Sequence, residues 1–389
     1  MTRPDRTPVI AGIGLSDGPK APHLDALGHQ AQAMQRALAD SGLAKDDIDG
    51  FGCAEAWIPG VPGVDLPETV EYLGLDPRWI EGTYTGGSAY EFQVQHAEAA
   101  IRSGMADTIL LTYGSDLLTR MGRSLGTAYG RKPVGGAAYE EPYGKTTVAA
   151  YAMAAQRHMY EYGTTPEQLA SVAVAVREYA AHNPRAIYRK PLTVDDVLNS
   201  RMIADPLHLY DCCAITDGGG AVIVTTEERA RDLRQPYVSI LGTAARQNHW
   251  NISQAPDVTT TAGARSGPDA FARAGLTPDD VDMAMLYDSF TITVILLLES
   301  LGFCKPGEGG AFAEDGNLRP GGRLPVNTDG GGLSACHPGL RGIFLLIEAV
   351  RQLRGQAGEV QVPDCEVALA AGSGGWFSTI GVTILGKGS

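Results

Sequence analysis

What the chain lacks narrows its class first. No run of about 18 apolar residues occurs, the minimum for a membrane-spanning helix. The opening MTRPDRTPVIAGIG has no apolar core of the kind a secretory signal needs, so the expected location is the cytoplasm. Positive charge is scarce. Lys and Arg number 31 against 45 Asp and Glu, a formal net charge of −14, which argues against nonspecific nucleic-acid binding and against docking on an anionic bilayer. Six cysteines (Cys53, Cys212, Cys213, Cys304, Cys336, Cys365) make no CxxC and no Cys/His metal spacing, so no metal site is expected and the thiols read as free core filler. The glycines Gly130, Gly135 and Gly136 lack the Gly-Lys-Ser/Thr of a phosphate loop.

Glycine, by contrast, is abundant, at 49 residues in a chain of 389. The densest use is NTDGGGLSACHPGLRGIFLLIEAVRQLRG, from Asn327 to Gly355. A glycine triplet leads into Cys336, His337 and Pro338, and a helix-period apolar run follows from Leu340, so a reactive side chain is offered from a tight turn ahead of a helix. Elsewhere the apolar spacing predicts a strand over Pro8 to Leu15, a helix over Leu24 to Leu43, and a turn at Thr85-Gly86-Gly87-Ser88. A helix over Ala89 to Ser103 and a strand over Thr108 to Tyr113 come next. Leu118 to Tyr143 is aperiodic and reads as loop; Thr147 to Tyr162 and Thr165 to His182 read as helices. Thr216 to Gly220 reads as a turn before a strand at Ala221 to Val224.

The second half echoes the first. Helix, Ser-Gly-Leu, Asp46-Asp47-Ile48-Asp49, strand recurs as helix, Ala-Gly-Leu, Asp279-Asp280-Val281-Asp282, strand. Glu98-Ala99-Ala100-Ile101-Arg102 is likewise echoed by Glu348-Ala349-Val350-Arg351. Two copies of one βαβα unit predict a layered α/β protein with a shared core. The expected division is 1–235, including a loop-rich insertion at about 116–205, and 236–389.

Several short motifs stand on this duplicated scaffold: Tyr287-Asp288-Ser289-Phe290-Thr291, Asn327 to Gly332, His337-Pro338-Gly339, Asp217-Gly218-Gly219-Gly220-Ala221 and Gly372-Ser373-Gly374-Gly375. In this order they resemble the thiolase superfamily, in its sterol-carrier-type lipid-transfer branch. The resemblance implies a five-layered αβαβα fold with duplicated halves, a homodimer, and chemistry on an acyl-CoA with no further cofactor. It also marks departures. A thiolase carries a nucleophilic cysteine where a helix N-terminus lowers its pKa. That position falls here at Gly87 or Ser88, and no cysteine lies between Cys53 and Cys212. The second thiolase cysteine, expected near Ala371 or Gly372, is missing too. The loop histidine is present as His337, Tyr287 stands where thiolases have an asparagine, and Asp288 stands where they have a glutamate. Gly331, Gly332, Gly374 and Gly375 match the glycine loops around the oxyanion.

A site without its nucleophile but with its enolate-holding groups suits retro-aldol cleavage of a β-hydroxyacyl-CoA, which needs no acyl-enzyme. This matches a sub-branch of thiolase-like aldolases that shorten steroid or bile-acid side chains. The resemblance to it implies a small partner with a zinc ribbon and an oligonucleotide-fold-like barrel, together forming a heterotetramer. That sub-branch has tyrosines at both active positions; Tyr287 fits and His337 departs, so either group is left as the base. Arg123, Arg131 and Lys132 are candidates for CoA phosphates. Cys336 is an alternative nucleophile, weighed against core filling. An acyltransferase and a non-catalytic lipid-binding subunit are the other function classes.

Overall fold

The computed structural model describes residues 6–54, 65–122 and 135–388. Its main sheet is built from β1 (Pro8–Leu15), β2 (Gly50–Cys53), β3 (Trp79–Glu81) and β4 (Thr108–Ser115). A separate hairpin comes next, β5 (Met202–Ala204) with β6 (Leu207–His208). The main sheet continues with β7 (Gly218–Thr226), β8 (Val238–Gln247), β9 (Met283–Leu286), β10 (Val367–Gly374) and β11 (Thr379–Lys387). Strand order is β3-β2-β4-β7-β1-β8-β11-β10-β9.

The order is two copies of one pattern meeting back to back. From the junction outward, β1 pairs antiparallel with β7, β7 antiparallel with β4, and β4 parallel with β2, which pairs parallel with β3. On the other side β8 pairs antiparallel with β11, β11 antiparallel with β10, and β10 parallel with β9. A parallel bridge from Ala284 to Val326 stands where the first half has β3. The halves join through Val9 opposite Ser239 and Ile10 opposite Val238.

Two helices fill the space between the half-sheets, Ala89–Ser103 from the first half and Gly342–Leu353 from the second; each packs on strands of both halves. Helix Ala26–Ser41 covers the first half-sheet from outside and helix Gly263–Ala274 covers the second, which makes five layers. Their positions follow from their faces. In Gly342–Leu353 every residue but Arg351 is buried, as an all-round apolar helix must be in a central layer. Ala26–Ser41 buries a single stripe, is capped by the Asp25 carboxylate accepting from Gly28 N–H, and stops at Gly42, whose φ of 83° ends a helix without a Cβ penalty.

The Asp-Gly-Gly-Gly run differs from the expected turn, because Gly218 to Gly220 belong to β7. Neighbouring elements approach the strand closely there: a Cβ on Gly219 would lie 2.5 Å from Tyr113 O, and one on Gly220 2.8 Å from Ile347 Cδ1. Glycine in this strand marks close packing. The described part of the loop-rich segment contains short helices at Leu117–Met121 and Ala137–Glu140. Helix Pro166–His182 opens on a Thr165/Gln168 capping box. No described helix is long and apolar enough to cross a membrane.

Candidate active site

Tyr287 is the first residue beyond β9, and its backbone N–H donates to Ala371 O at 3.0 Å, so strand pairing sets the direction of the ring. Asn327 steadies the same strand end by accepting from Leu286 N–H at 2.9 Å. The Tyr287 hydroxyl lies 3.0 Å from His337 Nε2 and 3.2 Å from Gly339 O, with the two rings nearly perpendicular at 85°. Both side chains are almost fully buried.

His337 comes from a loop that begins with Gly330 and Gly331 in left-handed conformation (φ 95° and 65°) and winds one π-helical turn, Gly331–Ala335. Segments from the first half brace the residues beyond that turn. His337 N–H donates to Thr216 Oγ1 at 3.0 Å, and Thr216 N–H to His337 O at 3.3 Å. Tyr113, from β4, donates its hydroxyl to Pro338 O at 2.6 Å and accepts from Leu340 N–H at 3.1 Å.

Asp288 sits beneath this loop. Its carboxylate accepts from Gly332 N–H at 2.7 Å and Leu333 N–H at 3.1 Å, and Arg341 Nε stands 3.4 Å away. Arg341, fully buried, also donates to both oxygens of Asp329 at 2.6 and 2.7 Å and to Cys336 O at 2.8 Å. The guanidinium therefore ties the loop's start, its end and Asp288 together. Two expectations change as a result. Asp288 positions the loop, with both oxygens engaged. Gly331 and Gly332 are not free oxyanion donors, since their N–H groups are taken by Asp329 Oδ1 (2.9 Å) and Asp288. Their lack of a Cβ is what Asp288 requires: one on Gly331 would stand 2.1 Å from Asp288 Oδ2.

The electrostatics sort the roles. Burial pushes the Tyr287 phenol well above its ordinary pKa, with Cys213 adding to the shift, so the group is a proton donor. Burial, then the nearby Arg341 charge, lowers His337 to about 4, so the imidazole is neutral and carries a bare nitrogen. Burial raises Asp288 to about 6, against the pull of Arg341 and the loop N–H groups.

At the lost nucleophile position, the Tyr287 ring takes the space. A Cβ on Gly87 would lie 2.2 Å from Tyr287 Cε2 and 2.3 Å from Cζ. Ser88 is fully buried and its hydroxyl is bonded to Thr85 O and Thr379 Oγ1, both at 3.0 Å, which makes it part of the turn. Cys336 Sγ faces Thr216 Oγ1 at 3.3 Å, and burial raises its pKa, so it is held as a thiol. Cys213 is pushed up to about 12 by burial. Gly374 and Gly375 close over the Thr85-Gly86 turn: a Cβ on Gly374 would lie 1.7 Å from Thr85 O, and Gly375 O accepts from the Tyr151 hydroxyl at 3.3 Å. Asp217 holds two other segments by accepting from Ala21 N–H and from both the N–H and the hydroxyl of Thr119. Among the described residues no cluster of His, Cys, Asp and Glu could hold a metal ion. Arg123, Arg131 and Lys132 lie outside the described residues. Sequence reading missed Arg341 and Tyr113; an arginine opening an otherwise apolar helix was the available signal for the first.

Comparison with known proteins agrees with this architecture. The family model "Thiolase C-terminal domain-like" matches residues 244–387. A steroid side-chain-cleaving aldolase of Thermomonospora curvata is 37% identical, covering 94% of this chain and 95% of its own. The 17-hydroxy-3-oxo-4-pregnene-20-carboxyl-CoA lyase of Mycobacterium tuberculosis is 36% identical, covering 94% of this chain and 96% of its own. Among solved structures, the Ltp2-ChsH2(DUF35) aldolase superposes with a TM-score of 0.87 at 34% identity over 98% of each chain. The chain belongs to the thiolase superfamily, within the branch that holds the steroid side-chain-cleaving aldolases.

Proposed function

We propose that this chain is a carbon–carbon lyase that cleaves a β-hydroxyacyl-CoA by a retro-aldol reaction into a ketone or aldehyde and a shorter acyl-CoA. The carrying observation is the Tyr287 ring lying against Gly87 while its hydroxyl meets His337 Nε2. Where a thiolase would form an acyl-enzyme, this site holds a proton donor beside a proton acceptor.

The roles follow from the protonation states. His337 takes the β-hydroxyl proton on its bare nitrogen, the Cα–Cβ bond breaks as the carbonyl of the first product forms, and the bonding pair passes into a thioester enolate. Tyr287, kept as a phenol, donates to the enolate oxygen. A fixed donor of this kind is worth about 3 to 4 kcal/mol in the transition state. A positioned base contributes roughly 100- to 10,000-fold. The chemistry needs no cofactor beyond the CoA thioester.

The names of the two relatives support a steroid acyl group as substrate. The two-component name of the superposed aldolase supports a partner protein, which we take to be a small zinc-ribbon and oligonucleotide-fold-like chain in a heterotetramer built on a homodimer. The reading includes a cytoplasmic location. Purified protein, with and without such a partner, is incubated with a β-hydroxy steroid-CoA. Release of a ketone or aldehyde plus a shorter acyl-CoA is expected. Acyl exchange that needs no hydroxyl would point to an acyltransferase, and neither reaction would leave a lipid-binding subunit. Cleavage within threefold of wild type in both Tyr287→Phe and His337→Ala would sink the assignment.

A further inference from the structure

Tyr113, from β4, reaches the His337 loop with a hydroxyl that is used twice. It donates to Pro338 O at 2.6 Å and accepts from Leu340 N–H at 3.1 Å, so its two bonds fall on either side of Gly339. The ring is buried and stands edge-on to Tyr90, with centroids 5.9 Å apart. Burial pushes the phenol above its ordinary pKa, which keeps the hydrogen on the oxygen and both bonds in place. The residue between the bonds is the reason they matter. Gly339 has a φ of 107°, a conformation that suits glycine alone, and glycine gives up more freedom on ordering than any other residue. Left to itself this would be the loosest point of the loop, and Tyr113 fixes the peptides that flank it.

What Gly339 presents to the site is its carbonyl. Gly339 O lies 3.2 Å from the Tyr287 hydroxyl, and His337 Nε2 lies 3.0 Å from the same hydroxyl. Among the described residues no other donor reaches Gly339 O. A phenol has one hydrogen to give, so the two acceptors compete for it. Whatever share goes to Gly339 O is withheld from His337. The retro-aldol scheme needs that division, because an imidazole nitrogen already holding the phenol's hydrogen has no lone pair free for the β-hydroxyl proton.

We propose that Tyr113 is a positioning residue for the retro-aldol step: it holds Gly339 O as the resting acceptor of the Tyr287 hydroxyl and so keeps the His337 nitrogen free. The consequence for turnover rests on the lyase reading; the geometry is that of the resting site. No bond is made or broken at Tyr113. Its hydroxyl acts through Gly339 on Tyr287, and one atom must both donate and accept to do so, which an apolar ring cannot. Without that hydroxyl the Gly339 peptide is free to turn, Tyr287 donates to His337 alone, and the base is masked until that bond breaks.

Tyr113→Phe removes one oxygen and both bonds. Tyr90→Phe is its matched control: Tyr90 is also buried, donates to a carbonyl (Thr112 O, 2.8 Å) and accepts from an N–H (Ala54, 3.4 Å), but bonds to neither Tyr287 nor the loop. Both variants should melt a few degrees below wild type. Only Tyr113→Phe should lose kcat on a β-hydroxyacyl-CoA, by at least about tenfold with KM within twofold, the scale of a reacting group displaced by less than an ångström. A second readout needs no turnover. By nitrogen NMR of isotope-labelled histidine, the bare ring nitrogen of His337, assigned by its loss in His337→Ala, should move upfield in Tyr113→Phe as it takes the phenol's hydrogen, and stay in place in Tyr90→Phe. A kcat within threefold of wild type, an unmoved His337 resonance, an equal kcat loss in Tyr90→Phe, or a Tyr113→Phe chain that does not fold each overturns the proposal. Wild type that cleaves no β-hydroxyacyl-CoA sinks the lyase reading alone, and the His337 resonance then decides the role of Tyr113.

Discussion

The two central helices begin at matching places in the two halves, and their beginnings are unlike. Ahead of Ala89–Ser103 the chain offers Thr85-Gly86-Gly87-Ser88, with no side chain on Gly87 and a serine bonded into the turn. Ahead of Gly342–Leu353 it offers a long loop that delivers His337 and anchors it with Arg341, Asp329 and Asp288. One half has been emptied and the other filled. The emptied side is still required, because Tyr287 from the filled side uses the space that Gly87 leaves. Duplicated scaffolds present equivalent positions, and here the equivalence lets one half carry the reacting groups while the other supplies the floor they rest on.

The largest effect should come from the filled side. Loss of the His337 imidazole or the Tyr287 hydroxyl is expected to lower the cleavage rate by roughly 100- to 10,000-fold, measured as kcat/KM on a β-hydroxyacyl-CoA. Next is the anchor. Arg341→Met leaves Asp329 and Asp288 buried without their cation, and chemical denaturation should report a loss of about 3 to 5 kcal/mol.

A smaller effect concerns pH. Folded His337 sits near pH 4, below its unfolded value of about 6.5, so between these limits the unfolded chain binds more protons than the folded one. The stability it supports is full above about 6.5 and is lost as pH falls toward 4. Asp288, raised to about 6, has the opposite slope between about 4 and 6. Wild type should therefore lose about 1 to 3 kcal/mol relative to His337→Ala between pH 7 and pH 4.5, with Asp288 common to both.

The emptied side is probed by adding to it. Gly87→Ala forces a methyl into the Tyr287 ring and should cost about tenfold in rate, a displacement of the phenol by around an ångström being enough. Gly87→Cys should lose rate as well and gain no thiolysis. Smallest of all, Ser88→Ala should leave cleavage within about twofold and cost about 1 kcal/mol of stability, the worth of one hydrogen bond. A hundredfold loss there would restore a nucleophile to the emptied half.

Elements whose evidence is local were legible beforehand. β1 is a short apolar run and Ala89–Ser103 a helix-period run between glycines, and both appear with the expected bounds. Helix Ala26–Ser41 is two residues shorter at each end than its apolar spacing, because Asp25 caps it and Gly42 ends it. The glycine triplets were not legible in the same way. Gly218 to Gly220 became strand and Gly330 to Gly332 became the head of a π-helical turn, although the composition is alike. What separates them is the neighbour: Tyr113 O and Ile347 beside the first, the Asp288 carboxylate beside the second.

Sequence by itself determined the repeat, the layered α/β class and the lack of any cysteine between Cys53 and Cys212, which follow from residue identity and order. The five layers, the nucleophile position and the pairing of Tyr287 with His337 came with the resemblance to thiolases that the ordered motifs carry. Tertiary structure alone decided that Asp288 and Arg341 build the loop, that the N–H groups of Gly331 and Gly332 are already engaged, and that Tyr113 bonds on both sides of Gly339. The reason is physical. A side chain's protonation state and its partners depend on what surrounds it, and here the surroundings come from segments as distant in the chain as Gly87, Tyr113 and Tyr287.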